Sequence, residues 1–472
     1  MTHLDAPRPA RRSWWLEEAL ALPEFAGPDT PPFHGDTTAD VVILGGGYTG
    51  MWTAWFLKER EPGLDVVLLE RDICGGGPSG RNGGFVNGLY DEAGLLLERH
   101  GERGRRTIEA AARSIDEVGA WCEDAGVDAW YEPSGDLGVS TNPAHDASVR
   151  ETVSEAERLG LADVYRPLSE DQVRERFDSP VVRSGFMVTH AATVQPARLA
   201  RALRRALLER GVRVFEGAPV KRFDARRPAA ETPSGVVRAG RAIVALNAWA
   251  RALRDFRRSL LLRGTYIVMS APAPERLEAM RWTGGEGVYD MRTSLHYLRP
   301  TRDGRIAFGG SSFRVTGEGA DSASYDHDER SAAALVRDFR RWFPAFDGVP
   351  METSWGGPID VAGLHLPFFG TLPGGVTHYG LGFTGNGVGP CHLGGKILSG
   401  LALGVDDEAT TLPISDGDRR RFPPEPLFSI GERVVGRALL RRDDRLDAGR
   451  APGRLTDLLA HLPRRLGFNL GP

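Results

Sequence analysis

Residues 39–70 read ADVVILGGGYTGMWTAWFLKEREPGLDVVLLE, and the fold follows from this stretch. The apolar, β-branched run up to Leu44 is too short for a buried helix and reads as a buried parallel strand. GGGYTG turns the chain, MWTAWFLKER continues with helical spacing, Pro62 and Gly63 break it, and DVVLLE forms a second buried strand. At the turn lies Gly45-x-Gly47-x-x-Gly50, with Glu70 twenty residues further on, at the end of the next strand. This is the context a dinucleotide-binding fingerprint requires. Gly45 permits the tight turn, Gly47 lets backbone approach a pyrophosphate, and Gly50 lets the helix pack on the strands. The helix N-terminus offers free N–H groups and partial positive charge to the phosphates. Glu70 can accept hydrogen bonds from ribose hydroxyls and would repel a 2′-phosphate, which disfavours NADP. The motif alone leaves NAD and FAD both open.

The rest of the composition narrows the class. The 472 residues allow two or three domains, and 41% hydrophobic with 26% charged residues is an ordinary globular balance. A formal net charge of -4 gives no global field to attract nucleic acid or an anionic membrane. Three cysteines, Cys74, Cys122 and Cys391, with no CxxC pair, support neither a disulfide framework nor a thiolate zinc site, and no metal site is expected. A reducing, cytoplasmic setting fits. No apolar stretch is long enough to span a membrane, and acids interrupt the N-terminus before any signal-length apolar core.

Glycines cluster in three places. After the first lies CGGGPSGRNGGFVNG at 74–88, too long and flexible for a simple turn, hence a loop that approaches something closely. The third, HYGLGFTGNGVGPCHLGGKILSGLALG at 378–404, reads as a strand breaking into a Gly-rich turn and then an apolar helix. Between them the spacing predicts helix over 91–126 with a break near Gly101 to Gly104, strands over 128–140, and helix over 144–177. A helix over 197–211 ends on a glycine and feeds VRVFEGAPVKRF, a strand; VVRAGRAIVALNAWA then repeats the strand-into-turn theme. Strands dominate 264–310, with a hairpin about Asp303-Gly304, and 327–342 is helical. No internal repeat is present. The last 56 residues hold twelve arginines and seven acids, and read as a partly helical segment on the outside. As a binding element for nucleic acid or a partner it lacks an aromatic series between the arginines.

A nicotinamide enzyme has little need of GGGPSGRNGGF after the acidic strand end, whereas an extended FAD needs backbone N–H groups along its ribityl chain and ring. With LLERDICGGGPSGRNGGF, WGGPIDVAGLHLPFFG at 355–370 and GFTGNGVGPCHLGGKILSGLALG at 382–404, the sequence resembles the D-amino-acid oxidase, or glycine oxidase, group of FAD-dependent oxidoreductases. Within it the likeness is to the bacterial gamma-glutamylputrescine oxidoreductase branch, which SWWLEEAL at 13–20 also matches, and it covers about 40–410. The resemblance implies an α/β fold with α+β elements: a discontinuous, Rossmann-like FAD-binding domain and a second, sheet-based substrate domain. The expected division is an arm over 1–39, the FAD-binding domain from 40–110, 190–262 and 355–415, the substrate domain from 111–189 and 263–354, and the Arg-rich extension 416–472.

Cofactor contacts are implied for Gly45, Gly47, Tyr48, Thr49 and Gly50, for Glu70 and Arg71, and for Ser79, Gly80, Arg81, Asn82, Gly83 and Gly84. Val220, Asn247, Gly357, Gly385, Asn386, Gly387, Val388 and Gly389 complete the set. The helix starting near Gly389 would aim its positive end at the flavin N1/C2 edge, where charge develops on reduction. Relatives that link FAD covalently use a histidine in the loop after the acidic strand end or a C-terminal cysteine. Arg81 and Asn82 stand at the first place, so noncovalent FAD is expected, with Cys391 either a buried thiol or a thioether.

The chemistry the resemblance implies is oxidation of a C–N bond of a small amine or amino acid. Hydride passes to flavin N5, the imine is hydrolysed, and O2 or another acceptor reoxidises the cofactor. The alternative is a biosynthetic oxidoreductase of the same fold acting on a non-amino-acid substrate. His296 and Tyr297 in SLHYLRP fall in the segment that family members place over the flavin, and Arg299 and Arg302 could bind a substrate carboxylate bidentately. Many oxidases of the superfamily keep a lysine near N5. Lys58, Lys221 and Lys396 are the only lysines here and none lies in the corresponding segment, so oxidase and dehydrogenase both remain open.

Overall fold

The computed structural model of the protein describes residues 6–312 and 323–469. The first five residues of the expected arm and the last three of the expected extension lie outside them. Among the described residues, two large sheets carry the fold.

The first sheet has eight strands, five of them parallel in the order Arg213–Phe215, Val66–Leu69, Thr37–Leu44, Gly235–Val244 and Thr377–Leu381. Phe368–Thr371 adds antiparallel to the last of these, and the hairpin Arg222–Asp224 and Ala229–Thr232 extends the first half of Gly235–Val244. Alternation along the central strands decides what each face buries. Val41, Ile43, Val66 and Leu68 join a core with Met51 and Trp52 of helix Tyr48–Arg60 and Ile397 of helix Val388–Leu403. Val42, Leu44, Val67 and Leu69 join a second core with Phe256, Phe368 and Tyr379. Both faces are covered, so the strands read as continuous apolar runs rather than alternating ones.

The second sheet has nine strands in the order Arg8–Pro9, Met351–Ala362, Leu260–Ser270, Ile306–Ser312, His296–Pro300, Gly287–Asp290, Asp136–Ser140, Ser184–Val188 and Tyr165–Leu168. All but two of its junctions are antiparallel. Its outer face, with Tyr266, Val268, Leu298 and Phe308, packs on Phe339 and Trp342 of helix Glu329–Trp342. Its inner face, with Ile267, Met269, Ala307 and Trp355, packs toward the first sheet's helices. The strands Leu260–Ser270 and Met351–Ala362 run unbroken through the expected boundaries at 263 and 355, so each belongs to this sheet along its length.

Several elements fall where the spacing puts them. The helical pattern over 91–126 becomes Ala93–His100 and Glu102–Asp124, broken at Gly101 with φ 52°. The 303–304 hairpin turns at Gly304, φ 87°. The stretch 144–177 differs: helix Pro143–Arg158 stops before Gly160, φ 75°, and Tyr165–Leu168 is an edge strand before a short helix, Glu170–Arg174. Pro167 fits there because an edge strand spares one N–H. Over 128–140 only Asp136–Ser140 is a strand.

The C-terminal segment is helical over Leu427–Asp447, Arg454–Ala460 and Leu462–Arg465. It is more than an outside appendage. Asp443 is 1% exposed and accepts hydrogen bonds from the backbone and hydroxyl of Ser294, while Asp447 pairs with Arg292 and Asn142.

Candidate functional site

The site begins where Thr37–Leu44 ends. Gly45 takes φ 109°, and a β-carbon there would lie 2.4 Å from the Ala245 carbonyl oxygen. One on Gly50 would lie 2.0 Å from the Gly45 carbonyl oxygen, so the helix sits against the turn at a distance only glycine allows. Helix Tyr48–Arg60 starts at Gly47 and helix Val388–Leu403 at Gly387, neither with a side-chain cap. Ser13, Asn142, Ser169, Gln195 and Asp328 cap their helices with a side chain, while other helices, Ala93–His100, Glu102–Asp124 and Leu427–Asp447 among them, also lack such a cap. The two uncapped ends adjoin, with Thr49 Oγ1 3.1 Å from Cys391 Sγ, so their partial positive charges and free N–H groups face one region.

Around that region the second glycine cluster folds back. Tyr48 N–H donates to Ser79 Oγ at 2.8 Å. Arg81 is tied four ways, to the Gly76 carbonyl at 2.8 Å, to the Gly356 carbonyl at 2.9 Å, to the Arg11 carbonyl at 2.5 Å, and to Asp326 at 3.2 Å. The Asn82 side chain donates to the carbonyls of Pro78 and Ser79 and accepts from Gly84 N–H at 2.7 Å. The N-terminal arm closes over this loop: the Ser13 hydroxyl bonds the Gly80 carbonyl, and Trp355 Nε1 donates to the Arg81 carbonyl at 2.9 Å. Gly83 lies against Tyr297, where a β-carbon would meet Cδ2 at 2.9 Å; one on Gly84 would be 2.2 Å from the Val194 carbonyl oxygen. Gly357 comes within 3.4 Å of Arg81 Cδ on the same reckoning.

Glu70 closes the opposite end. Its carboxylate accepts from Gly46 N–H at 2.8 Å and Asp72 N–H at 2.9 Å, and burial raises its pKa from the usual carboxylate range. Ala218 N–H donates to the Glu70 carbonyl at 2.8 Å, which brings the segment ending at Val220 alongside. Arg71 stacks over Trp249, its guanidinium 4.5 Å from the ring. At the third cluster, Gly385 takes φ 90°, and a β-carbon on it would lie 3.3 Å from Ile359 Cδ1. Asn386 donates to the Gly88 carbonyl at 3.2 Å, Val388 is the first buried residue of its helix, and a β-carbon on Gly389 would lie 2.3 Å from the Asn87 carbonyl oxygen. Asn247 donates to Asp360 at 2.8 Å, and Asp360 also accepts from Gly382 N–H at 2.6 Å. Burial pushes the Asp360 pKa up to about 7.

The four residues expected to carry the reaction separate. Tyr297 lies on the inner face, its hydroxyl 2.7 Å from Thr265 Oγ1, and burial pushes its pKa up to about 12. His296 lies on the outer face against Phe308 and Trp342, with Nδ1 2.7 Å from Asp290 and Nε2 3.3 Å from Asp338. Its alternate position along the strand turns it away from the glycine loops, which corrects the expectation that both would stand over them. Arg299 faces inward but is 3% exposed and spends its guanidinium on the carbonyls of Val194 and Gly84. Arg302 stands on the surface, paired with Asp128 at 2.8 Å and Glu132.

Comparison with known proteins decides what this cradle is. The family model DAO, FAD dependent oxidoreductase, matches residues 40–401. The chain belongs to this FAD-dependent oxidoreductase family. It is 30% identical over 415 residues to a Rhizobium meliloti protein named probable oxidoreductase OrdL, covering 85% of this chain and 90% of that one. It is 28% identical over 393 residues to the gamma-glutamylputrescine oxidoreductase of Escherichia coli, covering 82% and 88%. The glycine oxidase of Geobacillus kaustophilus superposes with a TM-score of 0.67 at 19% identity, over 82% of this chain and all of that one.

The residues present fit the FAD of this family. Two uncapped helix ends suit a pyrophosphate and the electron-rich edge of a flavin, Glu70 suits a ribose, and Asn87 Oδ1 is buried without a hydrogen-bond partner beside the Gly389 turn. Sequence reading missed Asn87, Asp360, Trp249 and Thr265. Asn87 and Asp360 stand inside quoted motifs, but only the folded chain shows that one is orphaned and the other bridges two loops. The lysines are engaged elsewhere: Lys58 bonds the carbonyls of Pro62 and Leu64, and Lys396 pairs with Glu117 at 2.6 Å. Among the described residues no group of histidine, cysteine and carboxylate side chains is placed to hold a metal ion, and no helix is long and apolar enough to cross a membrane.

Proposed function

We propose that the protein oxidises the C–N bond of a small amine or amino acid with noncovalently bound FAD. The observation that carries the reading is a continuous row on the inner sheet face. Tyr297 touches the Gly83 loop and bonds Thr265; two residues on, Arg263 lies opposite Ile359, which touches Gly385. A substrate held on this row lies between the second and third glycine clusters. The names of two relatives, a putrescine-derivative oxidoreductase and a glycine oxidase, agree with a nitrogen-bearing substrate.

Bound FAD supplies a two-electron acceptor beside the carbon that bears nitrogen. Oxidation there would remove a hydride from that carbon and a proton from the nitrogen, and water would convert the imine to a carbonyl compound and a free amine. The amine must be neutral to donate, so the protein's task is to hold that form. Tyr297 stays protonated throughout the neutral range and can donate to a substrate oxygen or accept from an amine N–H. The N-terminus of helix Val388–Leu403 would hold the flavin and lower the cost of negative charge on it. His296 acts at a distance, as a charged clamp between Asp290 and Asp338 that fixes the strand carrying Tyr297. Cys391 favours noncovalent cofactor: burial pushes its thiol up to about 12, and it engages Thr49. Free, buried Cys74, Cys122 and Cys391 fit a reducing, cytoplasmic compartment.

An anaerobic visible spectrum, taken before and after adding gamma-glutamylputrescine, sarcosine or D-amino acids, tests the reading. Bleaching of the flavin bands by one member supports it. A yellow protein that no amine bleaches turns the reading toward a non-amine substrate of the same fold, and a colourless protein that rejects FAD overturns it.

A further inference from the structure

Among the described residues eight large apolar side chains stand exposed, and seven of them lie in the C-terminal extension. Leu427, Ile430 and Val434 follow one another at helical spacing on helix Leu427–Asp447. Leu455, Leu458, Leu462 and Leu466 do the same along Arg454–Ala460 and Leu462–Arg465, and His461 between those two helices also takes right-handed helical backbone. The two rows meet, because Leu427, Leu462 and Leu466 line one cleft. Single exposed leucines are ordinary, whereas a concentration of them marks a surface that meets something apolar.

Charge on the same segment is sorted by depth. Residues 427–466 hold nine arginines and five acids. Asp443 and Asp447 turn inward to Ser294 and Arg292, Glu432 lines the cleft, and Asp457 pairs with Arg442 at 3.4 Å. Asp444, its side chain 73% exposed, is the acid left outside. The other eight arginines are exposed, and among the described residues none of them pairs with a carboxylate. Arg433, Arg437, Arg441 and Arg445 step along one helix at every fourth residue. The net charge of -4 for the whole chain hides this local excess of cations.

The combination discriminates between partners. A nucleic acid would use the arginines and leave the leucines in water. A second copy of this chain would cover the leucines but set arginine against arginine. An anionic lipid surface satisfies both sets: aliphatic side chains enter the boundary between headgroups and acyl chains, and guanidinium groups pair with lipid phosphates above them. Helix Leu427–Asp447 keeps Val435, Ala438 and Leu439 buried against the protein, so the contact is made by its outer side and is peripheral.

We propose that the C-terminal extension docks the protein on the surface of an anionic membrane, through its two rows of exposed aliphatic side chains and the unpaired arginines beside them. The docking segment lies beyond residues 40–401, so it is an addition to the shared fold, and the proposal stands independently of the C–N oxidation reading.

The test is co-sedimentation of the full-length, FAD-loaded protein with vesicles of phosphatidylcholine alone, or of two parts phosphatidylcholine to one part phosphatidylglycerol. The wild type is expected to bind the phosphatidylglycerol vesicles at least tenfold more tightly, and raising salt from about 0.1 M to about 0.5 M should weaken that binding. Arg433→Gln combined with Arg437→Gln and Arg441→Gln is expected to cost tenfold or more. Leu455→Ser with Leu458→Ser keeps every charge and is expected to weaken binding to a similar degree. Should that variant fail to fold, as judged by its urea midpoint, Leu427→Ser with Ile430→Ser examines the other row. Equal binding to both kinds of vesicle, or binding that the serine variants leave undiminished, overturns the proposal. So does a dimer that the wild type forms and the serine variants lose without any vesicle binding, which assigns the surface to a second copy. Absence of flavin from the same samples sinks the oxidation reading, while sedimentation still judges the membrane contact.

Discussion

His296 and Tyr297 are neighbours in the chain and face opposite sides of one strand, His296 Nδ1 2.7 Å from Asp290 and the Tyr297 hydroxyl 2.7 Å from Thr265. One residue therefore serves the sheet's packing and charge balance, the other the site.

Asp290 and Asp338 hold His296 charged, pushing its pKa up to about 9 against an ordinary 6.5 despite burial. A pKa raised in the folded state gives stability that is complete below pH 6.5 and is lost as pH rises through about 9. The expected loss is roughly 3 kcal/mol between pH 6 and 10. Urea midpoints across that range should fall in the wild type more than in His296→Gln, and parallel slopes would remove His296 from the account.

Tyr297→Phe removes one hydroxyl and keeps the ring against Gly83. A fall of about tenfold in kcat/KM is expected with flavin content unchanged, since one hydrogen bond at a reacting centre is worth about 1.4 kcal/mol. Flavin absorbance per chain and steady-state rates check it; an unaltered kcat/KM would take Tyr297 out of the site.

Gly50→Ala places a β-carbon 2.0 Å from the Gly45 carbonyl oxygen, which cannot move without opening the turn. The variant should purify without FAD. Retention of a full flavin complement through gel filtration would contradict the cradle.

Arg299 and Arg302 should behave as different residues. Arg299→Met leaves the Val194 carbonyl without its buried donor, while the Gly84 carbonyl keeps the Val194 N–H, and should cost about 1–3 kcal/mol in thermal or urea unfolding. Arg302→Ala removes exposed pairs with Asp128 and Glu132, and should change neither turnover nor the unfolding midpoint measurably.

Local periodicity carried the strand, turn, helix and strand around Gly45, the break at Gly101 and the hairpin at Gly304, because each depends on residues within a few positions. Glu70 was legible for the same reason, as the acid ending the strand after a glycine turn. Face assignment was not, because it needs register between distant strands: nothing local to SLHYLRP says that Tyr297 rather than His296 meets Gly83. Arg299 looked like a carboxylate ligand until the fold supplied two carbonyls from Gly84 and Val194. The strand Tyr165–Leu168 was hidden because its pairing partner, Ser184–Val188, supplies the order that four residues including a proline do not announce. In the extension, arginines dominate the composition, yet the residues that anchor it inward are the acids Asp443 and Asp447.

The arm has a consequence for the order in which the molecule is assembled. Arg8 and Pro9 pair with Thr353 and Ser354, Ser13 bonds Gly80, and Arg81 bonds the Gly356 carbonyl. Residues 8–13 thus dock against a strand that follows them far along the sequence, a non-local closure. Until Met351–Ala362 has emerged, the loop around Arg81 lacks its supports on both sides. The cradle is complete only when residues 8–13 and the strand Met351–Ala362 close on the cofactor loop together.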